Sequence, residues 1–334
     1  MTSHQVGISA HDLRKSYPAG RGAPRVTALD GLSIEVEAGT IFGLLGPNGA
    51  GKSTTVKILS TLSRAESGTA EVAGIDVARH PDRVRRVIGF VAQKAVADPM
   101  DTGRENLVLA GRLQGMRDAS HRAAELLDRF SLTEAADRQV KTYSGGMARK
   151  LDVAIGLMNR PQVLFLDEPT TGLDPEARAE MWTELEAMAK VERMTVLLTT
   201  HYLEEADRLA SRLAIVDHGR VVVAGSPEEL KDGLHGDAVI VELTSGEDAA
   251  EGLRLLERLP GLDEVLVDGR VLRSRAASGA EALPQVLAAL DTARLGGARL
   301  AVASATVARP SLDDVYLRHT GHSYSSTGSE GVNA

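Results

Sequence analysis

The chain has 334 residues, 43% hydrophobic and 25% charged, a balance typical of a folded protein of about two domains. Its net charge of -8 argues against nucleic-acid binding through bulk charge. With no cysteine, it has no disulfide, thiol nucleophile or cysteine-based metal site. Because no apolar run approaches the roughly 20 residues that span a bilayer, and no secretory signal is evident, we expect any membrane role to require a partner.

Strand and helix patterns alternate along the first two thirds of the chain. Looser alternation over residues 6–17 and 27–37 predicts a small antiparallel layer. Residues 41–45 predict a buried strand that enters a glycine-rich loop, and apolar spacing over 52–62 predicts the following helix. Between 99 and 161 the period becomes helical, which predicts a helical insertion. Further buried strands of a parallel sheet are predicted at residues 89–92, 163–166, 196–200 and 213–216.

The pattern changes after about residue 225. Strand and helix signals over 238–305 follow the order β-α-β-β-α-β, with a hairpin signal at Asp268-Gly269. Residues 310–319 predict a closing helix. We therefore expect an α/β fold with a P-loop (RecA-like) parallel sheet, an antiparallel β layer and a helical subdomain, followed by a small ferredoxin-like α+β domain. The expected divisions are a cassette at 1–230 with its helical subdomain at about 95–160, an accessory domain at 231–320 and a flexible tail at 321–334.

The glycine-rich loop fits the pattern G-x-x-x-x-G-K-[ST]. Its glycines let successive backbone N–H groups point at one anion, and the helix that follows adds its N-terminal dipole. We expect Lys52 to reach the β and γ phosphates of ATP, and Ser53 to place its hydroxyl on Mg²⁺. The predicted nucleotide-binding residues of the loop are Gly46, Pro47, Asn48, Gly49, Ala50, Gly51, Lys52, Ser53 and Thr54.

Two adjacent carboxylates, Asp167 and Glu168, end a predicted buried strand. Because neighbouring side chains on a strand point to opposite sides, the two acids need different functions. Asp167 suits a ligand of Mg²⁺, and Glu168 suits a general base that polarises the attacking water. In contrast, Glu204 and Glu205 are interpreted as solvent-facing acids in the first turn of a helix.

Further motifs narrow the class of P-loop protein. Residues 144–146 (Ser-Gly-Gly) precede a predicted helix and so form a second anion-binding N-terminus. Gln93 and His201 each end a predicted strand, and residues 172–174 (Gly-Leu-Asp) follow the acidic pair. With these motifs in order over about residues 5–230, the sequence resembles the nucleotide-binding subunit of ATP-binding-cassette (ABC) transporters.

That resemblance implies a function for each matching residue. Tyr17 matches the aromatic residue that stacks on adenine, and Gln93 matches the glutamine that touches Mg²⁺ and faces the membrane partner. His201 matches the histidine that contacts the γ-phosphate, and Asp174 matches an aspartate at the junction of two subunits. Two subunits would close on two ATP molecules, which implies a homodimer. The signature that caps the γ-phosphate held by the opposite subunit is matched by Ser144, Gly145 and Gly146.

The signature and the C-terminal part indicate one group within the family. Tyr143 and Met147 replace the usual Leu and Gln around the Ser-Gly-Gly core, and residues 105–113 and 311–321 also match. These features resemble the daunorubicin-resistance type of ABC subunit, found in antibiotic and multidrug exporters of actinobacteria. The resemblance implies a separate ABC-2-type membrane permease with six spans, and hence a peripheral location at the cytoplasmic face of the plasma membrane.

Other functions are open at this stage. Close relatives of such exporters carry lipids or other hydrophobic compounds, and an importer subunit is a further alternative. A soluble ABC-type ATPase acting on ribosomes or DNA is disfavoured by the single cassette, the lack of a heptad run and the acidic charge. A binding module without catalysis is disfavoured by the intact catalytic set. The C-terminal domain could stabilise the dimer, regulate the ATPase or dock the membrane subunit.

Overall fold

A computed structural model of the chain describes residues 5–18, 24–295 and 300–320. Its elements are β1 Val6–Tyr17, β2 Val26–Glu37, β3 Ile41–Leu45, α1 Lys52–Leu59, β4 Ser67–Val72, β5 Ile75–Asp76, α2 Pro81–Val87, β6 Ile88–Val91, α3 Gly103–Leu113, α4 Ala119–Arg129, α5 Gly145–Gly156, β7 Val163–Asp167, α6 Pro175–Lys190, β8 Thr195–Thr200, α7 Leu203–Leu209, β9 Arg212–Asp217, β10 Arg220–Gly225, α8 Pro227–Asp232, β11 Asp237–Leu243, α9 Ala249–Leu256, β12 Leu262–Asp268, β13 Val271–Ala276, α10 Gly279–Leu295, β14 Val302–Ala308 and α11 Leu312–Thr320.

The central sheet has the order β10-β9-β3-β8-β7-β6, and its strands are parallel except for β10. Strand β7 shows why its sequence is apolar throughout. Leu164 and Leu166 pack into a core shared with the helical insertion, whereas Val163 and Phe165 pack into a core shared with the antiparallel layer. That layer has the order β2-β1-β4-β5. The predicted α/β architecture, with its parallel sheet and antiparallel layer, is therefore confirmed.

Helix α1 is shorter than predicted. It ends at Leu59 instead of Leu62, and Leu62 is exposed. Ser60 closes the helix with its own backbone N–H on the carbonyl of Val56, and Thr61 follows in the left-handed conformation with φ +67°. Because the chain turns here, the apolar spacing that continued to Leu62 no longer follows a helical face.

The C-terminal sheet has the order β12-β13-β11-β14 with antiparallel neighbours, as expected for the predicted ferredoxin-like arrangement. Val239 and Leu272 from the sheet and Val286 and Leu290 from α10 share its core. Strand β14 begins at Val302. The sequence pattern predicts this last strand over residues 299–305, and its predicted start lies outside the described residues, as does the predicted tail at 321–334.

Contacts divide the chain into two compact units, one ending at Pro227 and the other beginning at Glu228. In the described part of the chain, no helix has both the length and the apolar character that crossing a bilayer requires. The residues that the sequence marks for phosphate chemistry all belong to the first unit.

Candidate active site

The loops that carry the predicted site meet because of the register of the parallel strands. Leu45, at the end of β3, lies opposite Thr200, and Thr199 on the same strand β8 lies opposite Asp167. Parallel strands present their carboxyl ends at one edge of a sheet. The P-loop, the acidic pair and His201 therefore start from that shared edge.

Two glycines of the P-loop stand where a side chain would collide with backbone. A Cβ at Gly46 would lie 2.3 Å from the carbonyl oxygen of Val216. Gly51 has φ +112°, and a Cβ there would lie 2.6 Å from the carbonyl oxygen of Ala28. Helix α1 begins at the next residue, Lys52. Glycine is thus required for the loop to curl tightly enough to reach the helix start.

Lys52 lies buried beneath this loop. Its Nζ donates to the carbonyl oxygens of Gly46 at 2.6 Å and Pro47 at 3.0 Å. Burial lowers the pKa of the Lys52 ammonium group, while the negative charges of Glu168 and Asp167 oppose that shift. The structure thus holds the Lys52 ammonium group against two carbonyl oxygens of the loop.

The Ser53 and Asp167 side chains meet next to this cation. Ser53 Oγ donates to Asp167 Oδ1 at 3.0 Å, and Thr199 Oγ1 donates to the same oxygen at 2.6 Å. Hydroxyl and carboxylate oxygens are the ligands that Mg²⁺ prefers in proteins. The donor set therefore fits that ion. Sequence reasoning missed Thr199, whose role depends on the strand pairing.

Glu168 is the point on which three other side chains converge. Gln93 Nε2 donates to Glu168 Oε2 at 2.9 Å, and Thr171 Oγ1 donates to it at 3.4 Å. His201 Nδ1 lies 3.3 Å from the same oxygen. The Glu168 side chain is buried. The structure thus joins the predicted Gln93 to the predicted base by a hydrogen bond and brings the predicted His201 close to the same oxygen, without a hydrogen bond from Nδ1.

The other predicted residues occupy different positions. Ser144 caps α5 by accepting the N–H of Met147, and Asp174 caps α6 by accepting the N–H of Ala177 at 2.9 Å. Tyr17 is 36% exposed, with Lys15 Nζ 5.4 Å from its ring centre. A composite site formed with a second subunit stays a prediction for these residues.

Among residues 5–18, 24–295 and 300–320, a Cβ added to Gly145 would meet no atom within 4 Å, so the backbone at the start of α5 is open on that side. At Gly146 such an atom would lie 2.9 Å from the Cβ of Ala177. The Ser-Gly-Gly segment therefore presents open backbone at one position and packs against α6 at the next.

The interpretation of Glu205 as a solvent-facing acid is wrong. Glu204 is exposed, but Glu205 is fully buried. Its Oε1 accepts hydrogen bonds from Thr170 Oγ1 at 2.9 Å and from Trp182 Nε1 at 3.1 Å. The helical spacing of α7 turns Glu205 towards α6 and the loop after β7, which local sequence does not reveal.

Burial raises the pKa of the Glu205 carboxyl above its ordinary value, against hydrogen bonds from its neighbours and the charge of Arg178. The folded protein therefore keeps this proton to a higher pH than the unfolded chain does. The resulting stability is present below the unfolded pKa of about 4.3 and is lost as the pH rises through the raised value.

Glu205→Gln cannot titrate, so we expect the stability of this variant relative to the natural chain to rise with pH. Urea unfolding at several pH values measures this, with Glu204→Gln as the control; parallel profiles would contradict the expectation.

Comparison with known proteins agrees with this geometry. Residues 29–171 match the family model for ABC transporters. Over 303 residues the chain is 46% identical to the daunorubicin/doxorubicin resistance ATP-binding protein DrrA of Streptomyces peucetius, which covers 88% of this chain and 88% of that protein. Over 322 residues it is 47% identical to the daunorubicin resistance ATP-binding protein DrrA2 of Streptomyces coeruleorubidus, covering 94% and 95%.

Solved structures include a similar cassette. The dimeric post-hydrolysis state of the ATP-binding cassette MJ0796, bound to ADP and Pi, matches with a TM-score of 0.60 at 25% identity, over 66% of this chain and 98% of that chain. This chain therefore belongs to the ABC transporter family as an ATP-binding, ATP-hydrolysing subunit of the daunorubicin-resistance type, a class of cassette that pairs as a dimer and works with a membrane subunit.

Proposed function

We propose that this chain powers efflux of a hydrophobic drug or antibiotic by hydrolysing Mg²⁺-ATP for an ABC-2-type membrane permease. Residues 1–230 form the cassette and 231–320 an accessory domain, and the protein works at the cytoplasmic face of the plasma membrane. The observation that supports ATP hydrolysis most directly is the convergence of Gln93, His201 and Thr171 on Glu168. Similarity to drug-resistance subunits over nearly the whole chain supports the exporter role.

Nucleotide binding begins at the P-loop. The N–H groups of residues 46–54 and the Lys52 ammonium bind the β and γ phosphates, and Tyr17 stacks on the adenine. Ser53, Asp167 and Gln93 would hold Mg²⁺, which neutralises charge on the phosphate oxygens. Lys52 already lies inside the loop, where its present carbonyl partners can be exchanged for phosphate oxygens.

Glu168 acts as the general base. Its buried carboxylate accepts a proton from the attacking water, which contributes about 10²–10⁴-fold to the rate. The Gln93 hydrogen bond and the neighbouring His201 imidazole orient this carboxylate. We expect His201 also to contact the γ-phosphate once ATP is bound. Because all three side chains stem from the loops at one sheet edge, they are already close before nucleotide arrives.

Dimerisation completes each site. Ser144, Gly145 and Gly146 cap the γ-phosphate of the ATP held by the opposite subunit, and Asp174 lies at the junction. Open backbone at Gly145 supports this role, since no described residue of its own subunit lies within 4 Å of a Cβ placed there. Two bound ATP molecules favour the closed dimer, and hydrolysis removes the γ-phosphate contacts and reopens it.

Exposed apolar side chains support a membrane partner at the segment from Gln93 to Leu113. Val96, Met100, Leu109 and Leu113 are between 49% and 80% exposed. Single exposed apolar residues are ordinary, but a concentration of them in one segment is typical of an interface. Leu109 and Leu113, four residues apart on α3, lie on the same face of that helix.

Substituting this face is expected to separate the chain from its permease. In Leu109→Glu/Leu113→Glu, two buried charges would oppose docking, whereas ATP binding at the distant P-loop would persist. Val191→Glu changes another strongly exposed apolar residue, at the end of α6, and is the matched control. Co-purification from membranes in mild detergent measures the loss, and undiminished recovery of the double variant with the permease would contradict the assignment of this surface.

Affinity purification of the tagged chain tests the proposed function itself. A stoichiometric six-span membrane protein is the expected partner. Recovery only with ribosomal or DNA-bound proteins would contradict the proposed function in export. ATP-driven uptake into inverted vesicles then distinguishes cargo. Daunorubicin uptake is expected; transport of a fluorescent lipid without the drug would favour the lipid alternative.

A further inference from the structure

One buried arginine of helix α5 contacts the loops on both sides of the catalytic cluster. Arg149 is 8% exposed. Its Nε donates to the carbonyl oxygen of Pro169 at 2.7 Å, and its Nη1 donates to that of Ala92 at 2.7 Å. Its Nη2 donates to the carbonyl oxygens of Asp167 and Glu168, both at 3.2 Å. The guanidinium therefore binds backbone carbonyl groups at the ends of β6 and β7.

Those contacts explain the unusual backbone conformation of Glu168, the proposed general base. Glu168 has φ +49°, in the left-handed region that side chains other than glycine seldom adopt. Its N–H donates to Thr199, to both the carbonyl oxygen and Oγ1 at 3.1 Å, and its carbonyl accepts from Arg149. Such a conformation persists only where surrounding groups hold it. On the carbonyl side, Arg149 supplies one contact at 3.2 Å and the N–H of Thr171 supplies a second at 3.4 Å.

Asp152 makes the matching contact one helical turn later. It is 4% exposed, and its Oδ1 accepts the N–H groups of Val96 at 3.0 Å and Ala97 at 3.2 Å. Its other oxygen lies 3.8 Å from Arg149 Nη1. The loop that follows Gln93 is thereby attached to the same helix that holds the backbone of Glu168.

We propose that Arg149, together with Asp152, is a positioning residue that couples the Ser-Gly-Gly start of α5 to the loops bearing Glu168 and Gln93. When α5 binds the ATP held by the opposite subunit, it thereby orients the Glu168 carboxylate of its own subunit. The inference rests on the proposed composite site.

Arg149→Met removes the guanidinium and keeps a long apolar side chain. We expect kcat for ATP hydrolysis to fall about 10²-fold, the cost typical of a small misplacement of a catalytic group. KM for ATP should change little, because Arg149 bonds to no P-loop atom in the described contacts. Arg149→Lys keeps the charge but loses the planar fork, so it should fold and show a kcat between those of the natural chain and Arg149→Met.

Arg129→Met is the matched control. Arg129 is partly buried on α4 and pairs with Glu184 at 3.2 Å and Glu192 at 2.6 Å, away from the catalytic loops. We expect its kcat to be that of the natural chain. Unchanged kcat in Arg149→Met would overturn the positioning role, as would equal loss of kcat in both variants with equal loss of thermal stability. If Arg149→Met does not fold, the kcat of Arg149→Lys is compared instead with those of the natural chain and Arg129→Met.

Mixed dimers test the coupling. Two subunits with different tags are purified as a pair, one natural and one carrying Glu168→Gln, so that hydrolysis remains at a single half-site. Adding Ser144→Ala to the natural subunit, whose α5 faces the ATP held by the Glu168→Gln subunit, should lower this remaining hydrolysis, because the working base belongs to the same subunit as that α5. Unchanged hydrolysis after Ser144→Ala would overturn the coupling, as would an equal further loss when the same subunit already carries Arg149→Met. Glu168→Gln dimers with full activity would instead contradict the proposed function, so the two failures are distinguishable.

Discussion

Replacing Glu168 with glutamine is expected to abolish ATP turnover while leaving ATP bound. Glutamine keeps the size and hydrogen bonding of the side chain but cannot take up a proton from water. Loss of a general base costs about 10²–10⁴ in rate, or roughly 2.7–5.5 kcal/mol of barrier. Because Lys52 and the P-loop are untouched, the two bound ATP molecules should then hold the dimer closed.

Three measurements check this expectation: phosphate release, retention of labelled ATP, and the dimer fraction by size-exclusion chromatography with ATP. Glu204→Gln is the matched control, since Glu204 is an exposed glutamate in the same unit. It should hydrolyse ATP as the natural chain does. Ordinary turnover in Glu168→Gln would show that another group activates the water.

Lys52→Ala is expected to lose phosphate binding. Each hydrogen bond between a charged group and a phosphate oxygen contributes about 1.5–3 kcal/mol, so removal of the ammonium should weaken ATP binding by about 10–100-fold. The loss should be much smaller for adenosine, which lacks the phosphates. The carbonyl oxygens of Gly46 and Pro47 would also lose their donor, which loosens the empty loop.

Titration with a fluorescent ATP analogue measures this change, with Lys57→Ala as control. Lys57 lies on the same helix but is exposed. Its replacement should leave the affinity as it is. If Lys52→Ala bound ATP with the affinity of the natural chain, the P-loop interpretation would be contradicted, whatever its effect on hydrolysis.

Much of the fold could be predicted because its signals are local. The apolar run before the P-loop, the glycines within it and the spacing after it fall within about twenty residues of one another. The hairpin signal at Asp268-Gly269 is similarly local, and the structure has the turn at Gly269 and Arg270, between β12 and β13. The end of α1 was predicted too far along, since the left-handed turn at Thr61 carries no glycine to mark it.

The supporting polar groups could not be predicted in the same way. In the sequence, Thr199 is one residue of a largely apolar strand, and only the pairing of strands places it beside Asp167. Glu205 reads as a surface acid until α7 packs against Trp182. Arg149 bonds to carbonyl groups between 18 and 57 residues away. In each case the partner is brought close by tertiary packing and leaves no pattern nearby in the chain.

Local sequence was therefore sufficient to single out the residues that the structure brings together around Lys52 and Glu168, because such motifs depend on residue type and short spacing. It was also sufficient for the order of strands and helices, through the apolar period. Only the tertiary structure decided how the Glu168 carboxylate is held, and which buried polar groups hold it. A buried charge must find partners wherever the packed backbone leaves them, and those partners come from strands and helices far apart in the sequence.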